Sequence, residues 1–156
     1  MIAGLAPHNM QDYLSSMGAS MGISHGVSKV TKQKIISIIG DGTFFHSGIP
    51  GLINAVYNGS NPLIVVLDNR ITAMTGHQQN PGMGKTLMGD SVEELKIEEI
   101  ARACGVKNIK VLDLVTAPDL ESAIKEFLPK EEVSLIVCRR ICALLERRLK
   151  REKRNG

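Results

Sequence analysis

The sequence predicts an α/β fold in which a parallel sheet carries helices on both faces. The apolar runs at 35–39, 63–67 and 133–138 are nearly continuous rather than alternating, as strands buried on both faces require. Segments with helical apolar spacing separate them, for example Leu120, Ile124 and Leu128 at i, i+4 and i+8. Gly, Pro and Asn punctuate the joins, as in Asn58-Gly59-Ser60-Asn61-Pro62.

Taken in order, residues 11–28 read as a helix, with the small residues Gly18, Ala19 and Gly22 allowing close packing beside Met17 and Met21. The first strand is expected over 34–39. A helix follows over 49–58, with Pro50 in its first turn, where a missing N–H is harmless. The second strand is expected over 63–67, and residues 70–92 read as a glycine-rich functional loop. A helical segment opens at Ser91 and ends at Gly105, a good C-terminal cap. A third strand over 109–114, a helix over 119–128, a fourth strand over 133–138 and a last helix over 141–150 complete the alternation.

Length and composition allow one domain. A chain of 156 residues buries a sizeable core, and no apolar run reaches the ~20 residues of a membrane helix. The N-terminus lacks the basic start and apolar stretch of a signal peptide. Three cysteines without a CxxC spacing read as reduced thiols of a cytoplasmic protein. The expected domain is 1–146, followed by a basic, disordered tail over 147–156. Residues 146–156 hold six Lys or Arg against two Glu. No aromatic residue is interleaved there for base stacking, so a solvated tail is preferred to nucleic-acid binding.

Two strand ends carry the chemistry. The first apolar run enters Gly40-Asp41-Gly42-Thr43; the second enters Asp68-Asn69, with Asn69 28 positions after Asp41. Oxygen-bearing side chains at neighbouring carboxyl ends can share one hard cation, and Mg²⁺ takes few protein ligands and shares its shell with phosphate oxygens. Ligands of open parallel sheets bind beyond those same ends. Gly40 and Gly42 let backbone approach phosphate, and a helix opening near 49 would offer its N–H groups to the anion. Thr43 and Ser47 add hydroxyls, with helix capping equally open to Ser47.

The spacing of Gly40-Asp41-Gly42 and Asn69 resembles the thiamine diphosphate motif. That resemblance implies Mg²⁺ held by Asp41, Asn69 and the backbone carbonyl of Ile71. The wording of 42–55, Leu67-Asp68-Asn69 and Thr72-Ala73-Met74-Thr75-Gly76-His77-Gln78 narrows it. These residues resemble the large subunit of the indolepyruvate:ferredoxin oxidoreductases, a branch of the 2-oxoacid:ferredoxin oxidoreductases. Met17-Gly18-Ala19-Ser20-Met21-Gly22 is similar to the family segment beside the aminopyrimidine, and Arg139-Arg140-Ile141-Cys142-Ala143-Leu144 to the stretch closing the domain. The resemblance covers 11–146. It implies a cofactor site of Met17, Gly18, Gly40, Asp41, Gly42, Thr43, Asn69, Ile71, Thr72, Ala73 and Met74, with His46 and His77 as candidates for a catalytic role. Each histidine is as readily a loop residue bonded to backbone.

The implied activity is oxidative decarboxylation of a small-molecule 2-oxoacid of the aryl pyruvate type. The resemblance also implies partners: a pyrimidine-binding domain with its activating Glu, and a ferredoxin domain whose iron–sulfur clusters three cysteines cannot supply. The chain therefore reads as an N-terminally shortened cofactor domain or one piece of a split enzyme, inactive alone and working in an oligomer or heteromeric complex. A subunit of a split, non-oxidative 2-oxoacid decarboxylase and a non-catalytic remnant are the alternatives. Gly82-Met83-Gly84-Lys85-Thr86 falls short of a P-loop, because Gln79 stands where the first glycine belongs. Met74 and Met83 could line an aryl pocket, although packing is the commoner role of Met.

Overall fold

A computed structural model describes residues 7–113 and 116–155. The start of the expected domain at 1–6, Leu114 of the expected third strand and Gly156 of the tail lie outside the described residues. The elements run α1 (Ala19–Val30), β1 (Ile36–Gly40), α2 (Asp41–Thr43), a π-helical turn (Phe44–Gly48), α3 (Ile49–Tyr57) and β2 (Leu63–Asp68). A 3₁₀ turn (Pro81–Met83) precedes α4 (Ile97–Ala103), β3 (Asn108–Asp113), α5 (Ala117–Phe127), β4 (Ser134–Arg139) and α6 (Ala143–Asn155).

The four strands form one parallel sheet in the order β1-β2-β4-β3. Parallel crossovers are right-handed, and that rule distributes the helices. From β1 to β2 and on to β3 the chain moves one way across the sheet. The crossover helices α3 and α4 then share one face, where α1 joins them, burying Met21, Leu52, Ala55, Ile97 and Ala101 against Ile39, Ile64, Val66, Leu135 and Val137. The step from β3 back to β4 reverses direction, so α5 crosses on the other face. There Ala123 and Phe127 meet Leu63, Val65, Ile136 and Cys138. This second layer stops short of β1, and Ile36 and Ile38 stay 41% and 47% exposed.

The fold class agrees with expectation, and several element boundaries differ from it. The first helix begins at Ala19 rather than 11, because Gly18 takes a left-handed φ of 85°. A Cβ on Gly18 would lie 2.1 Å from the Ser47 Oγ, so the chain bends there to pass beneath that turn. The helix expected over 49–58 is α3, with Pro50 in its first turn as expected, but it has no free N-terminus. Helical backbone runs from Asp41 through the π turn into α3, and Pro50 lacks the N–H that would close a regular turn behind it. The segment opening at Ser91 is not helical until Ile97, since Ser91 bridges Lys85 and the Leu95 N–H bonds Pro81 O at 3.1 Å. It does end as expected, with Gly105 at φ 94° after Cys104.

The third strand begins one residue early, at Asn108, and its helix α5 opens at Ala117 under a Thr116–Asp119 capping box. The basic segment at 147–156, expected to be disordered, is helical through Asn155 as the end of α6. Its Arg, Lys, Glu and Leu are good helix formers, and Lys150 bonds Glu146 at 2.6 Å one turn back. No helix among the described residues is long and apolar enough to cross a membrane.

Leu52 is fully buried where α3 meets the sheet. Leu52→Ala is expected to lower unfolding free energy by about 2–5 kcal/mol, read as a reduced urea midpoint at unchanged slope.

Candidate functional site

The site grows from the two central strand ends. Gly40 pairs with Leu67, so Asp41 and Asp68 leave the sheet side by side. Gly40 stays extended, at φ −81° and ψ 158°, and the next residue is already helical. Asp41 thus sits in the first turn of the helical run, 4% exposed. Its Oδ1 accepts the Gly42 N–H at 2.7 Å, while Oδ2 is buried without a partner. Burial raises the Asp41 pKa and nearby Asp68 adds to the rise; the Gly42 N–H, the Asn80 amide and the Ile71 N–H oppose it. The net direction is upward, which marks a carboxylate short of positive company.

Asn69 bends its side chain onto the next turn, where Oδ1 accepts the Ile71 N–H at 3.1 Å. Its backbone carbonyl accepts the Cys142 N–H at 3.0 Å, tying the loop to the chain after β4. Ile71 is buried and its N–H also stands by Asp41. The three residues expected around a cation, Asp41, Asn69 and Ile71, are therefore brought together. Thr72 joins them: a Cβ on Gly42 would lie 2.1 Å from the Thr72 Oγ1, itself buried and without a partner. Over Gly40, in contrast, a Cβ would meet nothing within 4 Å.

Other candidates are placed apart from Asp41. Thr72 and Gln78 form an antiparallel bridge that closes a small loop. Met74 is 73% exposed on that loop, and exposed His77 takes a left-handed φ of 59°. Ala73 is half-buried in it. Met83 is half-buried in the 3₁₀ turn. His46 is exposed on the π turn. The Ser47 hydroxyl caps nothing; it donates to Thr43 O at 3.1 Å within the helical run. Met17 is 65% exposed beside Gly18, which rests against Ser47 and Thr43. Residues 82–86 run from the 3₁₀ turn into the Lys85–Ser91 bridge, with no helix opening at Lys85. An open cleft of about 290 Å³ lies between the loop and α6, lined by Ile71, Gly76, His77, Leu144 and Leu145.

An ion-pair network was not foreseen from the sequence. Asp68, 5% exposed, accepts the Arg139 Nε at 2.8 Å on Oδ2 and faces the Arg70 Nε at 3.5 Å on Oδ1. Arg139 also reaches Glu98 at 2.8 Å and Asp113 at 3.4 Å. Burial works against the Arg139 charge, yet the bonds and charges of Asp68 and Glu98 outweigh it and raise its pKa. Arg70 has a left-handed φ of 63°, uncommon for a residue with a Cβ. Its side chain bonds the Gly82 carbonyl and Glu94, each at 2.8 Å. Asp68 is thus committed to arginines, whereas Asp41 keeps one carboxylate oxygen free. Asn80, also unforeseen, is buried beside Asp41; the Asn-Pro-Gly turn signature at 80–82 was its available signal.

A buried carboxylate with an open oxygen at the carboxyl ends of parallel strands lies where α/β domains of this class bind their ligands. The chain belongs to the family described as thiamine pyrophosphate enzyme, C-terminal TPP binding domain, whose model matches residues 4–138. It is therefore a thiamine diphosphate-binding domain.

Its relatives include indolepyruvate oxidoreductase subunit IorA of Methanothermobacter thermautotrophicus, 46% identical over 88% of this chain and 22% of the relative. The same subunit of Pyrococcus horikoshii is 45% identical over 90% of this chain and 24% of the relative. Sulfopyruvate decarboxylase subunit beta of Methanocaldococcus jannaschii is 33% identical over 82% of this chain and 62% of the relative. The chain thus spans less than a quarter of the length of the IorA subunits. Among solved structures, 2-oxoglutarate:ferredoxin oxidoreductase from Magnetococcus marinus shares the fold at TM-score 0.71 and 17% identity, over 81% of this chain and 46% of that one.

Two outcomes test this geometry. Asp68→Ala should cost about 1–3 kcal/mol by leaving the Arg139 Nε without its buried acceptor while Glu98 still holds the charge, whereas Asp113→Ala, at a side chain 71% exposed, should cost under about 0.5 kcal/mol; urea titrations compare them. For Asp41 the folded-state pKa is raised, so the folded state holds the proton longer and stability falls as pH rises from the ordinary carboxyl value through the raised one. Asp41→Asn should therefore be more stable than the parent at pH 7 without ligand, the gap closing in acid below both values. A gap independent of pH would contradict this.

Proposed function

We propose that the chain provides the diphosphate- and Mg²⁺-holding half of a thiamine diphosphate site in an indolepyruvate-type 2-oxoacid oxidoreductase. The observation that carries the reading is the gathering of buried, unpartnered polar atoms at the end of β1: Asp41 Oδ2 and Thr72 Oγ1. A buried polar atom without a partner costs free energy; a cation and a phosphate would supply partners of both kinds.

Asp41 Oδ2, Asn69 Oδ1 and the Ile71 carbonyl are the hard oxygen donors suited to Mg²⁺. Asp41 brings the negative charge, and the cation removes the burial penalty that raises its pKa. Gly40, Gly42 and Thr43 hold the diphosphate, with the open space over Gly40 and the first N–H groups of the helical run turned to the anion. Met17, Gly18, Thr72, Ala73 and Met74 border the rest of the cofactor. Bound there, thiamine diphosphate supplies the electron sink for decarboxylating a 2-oxoacid. The chain's residues bind and orient it, and no residue is assigned a proton-transfer role; the exposed positions of His46 and His77 leave both open to contact with partner domains.

The complete activity, oxidative decarboxylation of aryl pyruvates, needs a pyrimidine-binding domain and iron–sulfur clusters on partner domains or subunits. Large apolar side chains left exposed at Met10, Tyr13, Leu14 and Met17 are surface for such partners to cover. The assembly belongs in the cytoplasm. The kinship with sulfopyruvate decarboxylase subunit beta favours a second reading, a split non-oxidative decarboxylase. Reconstituted with its partners, the first reading reduces a low-potential electron acceptor when given an aryl pyruvate; the second releases an aldehyde without reducing the acceptor.

The direct test titrates thiamine diphosphate calorimetrically into the chain with Mg²⁺ and with EDTA. Binding should require Mg²⁺, and Asp41→Ala should weaken it about a hundredfold, or about 2.7 kcal/mol. Binding indifferent to both EDTA and Asp41→Ala would sink the assignment, and a wild-type chain that binds nothing would point to a remnant fold.

A further inference from the structure

We propose that Asn80 is a positioning residue of the Asp41 site, presenting its side-chain amide to the Asp41 carboxylate so that Oδ2 is aimed at the bound cation. The proposal rests on the Mg²⁺–diphosphate reading above and adds to it a residue outside the Asp41–Asn69 motif.

The orientation of the amide is set by its partners. Asn80 is 4% exposed and opens the 3₁₀ turn at Pro81–Met83, where its Oδ1 accepts the Gly82 N–H at 3.0 Å. An amide NH₂ cannot pair with an N–H donor, so Oδ1 must occupy that side. Nδ2 is left buried and without a partner, while the side chain stands beside a carboxylate whose Oδ2 also lacks one. Donor and acceptor thus share one pocket.

The turn carrying Asn80 is held from two further directions. A Cβ on Gly82 would lie 3.0 Å from Phe45 Cε2, so the turn lies flush on the π-helical turn that comes after Asp41. The Gly82 carbonyl accepts Arg70 Nη1 at 2.8 Å, and Arg70 stands between Asn69 and Ile71 in sequence. Asn80 is therefore seated on both strand ends at once. A capping role alone would need only its Oδ1; the buried Nδ2 is the surplus group, and Asp41 is the neighbouring carboxylate with an oxygen still open.

The test separates capping from positioning. Asn80→Ser keeps an oxygen that caps the turn and removes the amide donor. Calorimetry with thiamine diphosphate and Mg²⁺ should show affinity reduced about tenfold, with a ligand-free melting temperature within a few degrees of the parent. With Mn²⁺ replacing Mg²⁺, the electron paramagnetic resonance spectrum of the bound ion should broaden as the carboxylate loses its fixed orientation. Parental affinity and spectrum in Asn80→Ser would overturn the proposal. Should that variant fail to fold, Asn80→Asp keeps both size and the Gly82 acceptor; a larger affinity loss is expected, and parental affinity again overturns the idea. If the wild-type chain itself ignores Mg²⁺ and thiamine diphosphate, the reading of the site fails and this proposal with it. Wild-type binding that Asn80→Ser leaves untouched removes only the role given to Asn80.

Discussion

The parallel register of β1 on β2 is the constraint on which the site depends. With Gly40 level with Leu67, the residues after each emerge together at one end of the sheet. A shift of one residue would exchange the faces of every side chain on β1, moving Ile39 out of the core. Register is therefore fixed by burial, and the placing of Asp41 beside the β2 end is a consequence of hydrophobic packing rather than of any contact within the site. The strand end then becomes the start of a helix without an intervening loop, which is why a carboxylate is buried there at all.

The two aspartates at that end have opposite fates. Asp68 is neutralised by arginines from β4 and from the next loop, making a rigid wall. Asp41 has only N–H groups and a neighbouring amide. Because Arg139 gathers Asp68, Glu98 and Asp113 from β2, α4 and β3, the strand ends behind the site are cross-tied. Arg70 extends the tie to the turn at 81–83. A buried ion pair is a weak source of net stability; here its effect is geometric, since it holds a non-glycine residue in the left-handed region between Asn69 and Ile71.

Much of this was legible in the residues. Continuous apolar strands, the Gly40-Asp41-Gly42 turn and the interval to Asn69 pointed to the sheet and to the strand-end site, because burial and steric demands act on adjacent residues and leave local signatures. Helix boundaries were less so. The small residues Gly18, Ala19 and Gly22 beside Met17 and Met21 argued for a helix from 11, but the close approach of Gly18 to Ser47 is a tertiary contact that no local period records. The helix expected from 49 is present as α3 with Pro50 in its first turn. The helical backbone leading into it from Asp41 left no local signal, because Pro50 is as compatible with the middle of a widened turn as with a first turn. Asn80 and the arginine network depend on partners up to 71 positions apart, which one sequence cannot pair.

The π turn at Phe44–Gly48 has a bearing on which length changes this region can absorb. Such a turn is a helix carrying one residue more than regular geometry needs, and the surplus is taken up locally. Removal of a single residue there would restore an even helix while leaving Asp41–Thr43 and the Leu52–Ala55 face in their present phase. Removal of one residue anywhere in α3 would instead rotate the remainder of that helix by about 100° and turn the core face outward. Insertions and deletions should therefore be confined to this one turn, where their cost falls on the seat of Gly18 rather than on the sheet or on Asp41.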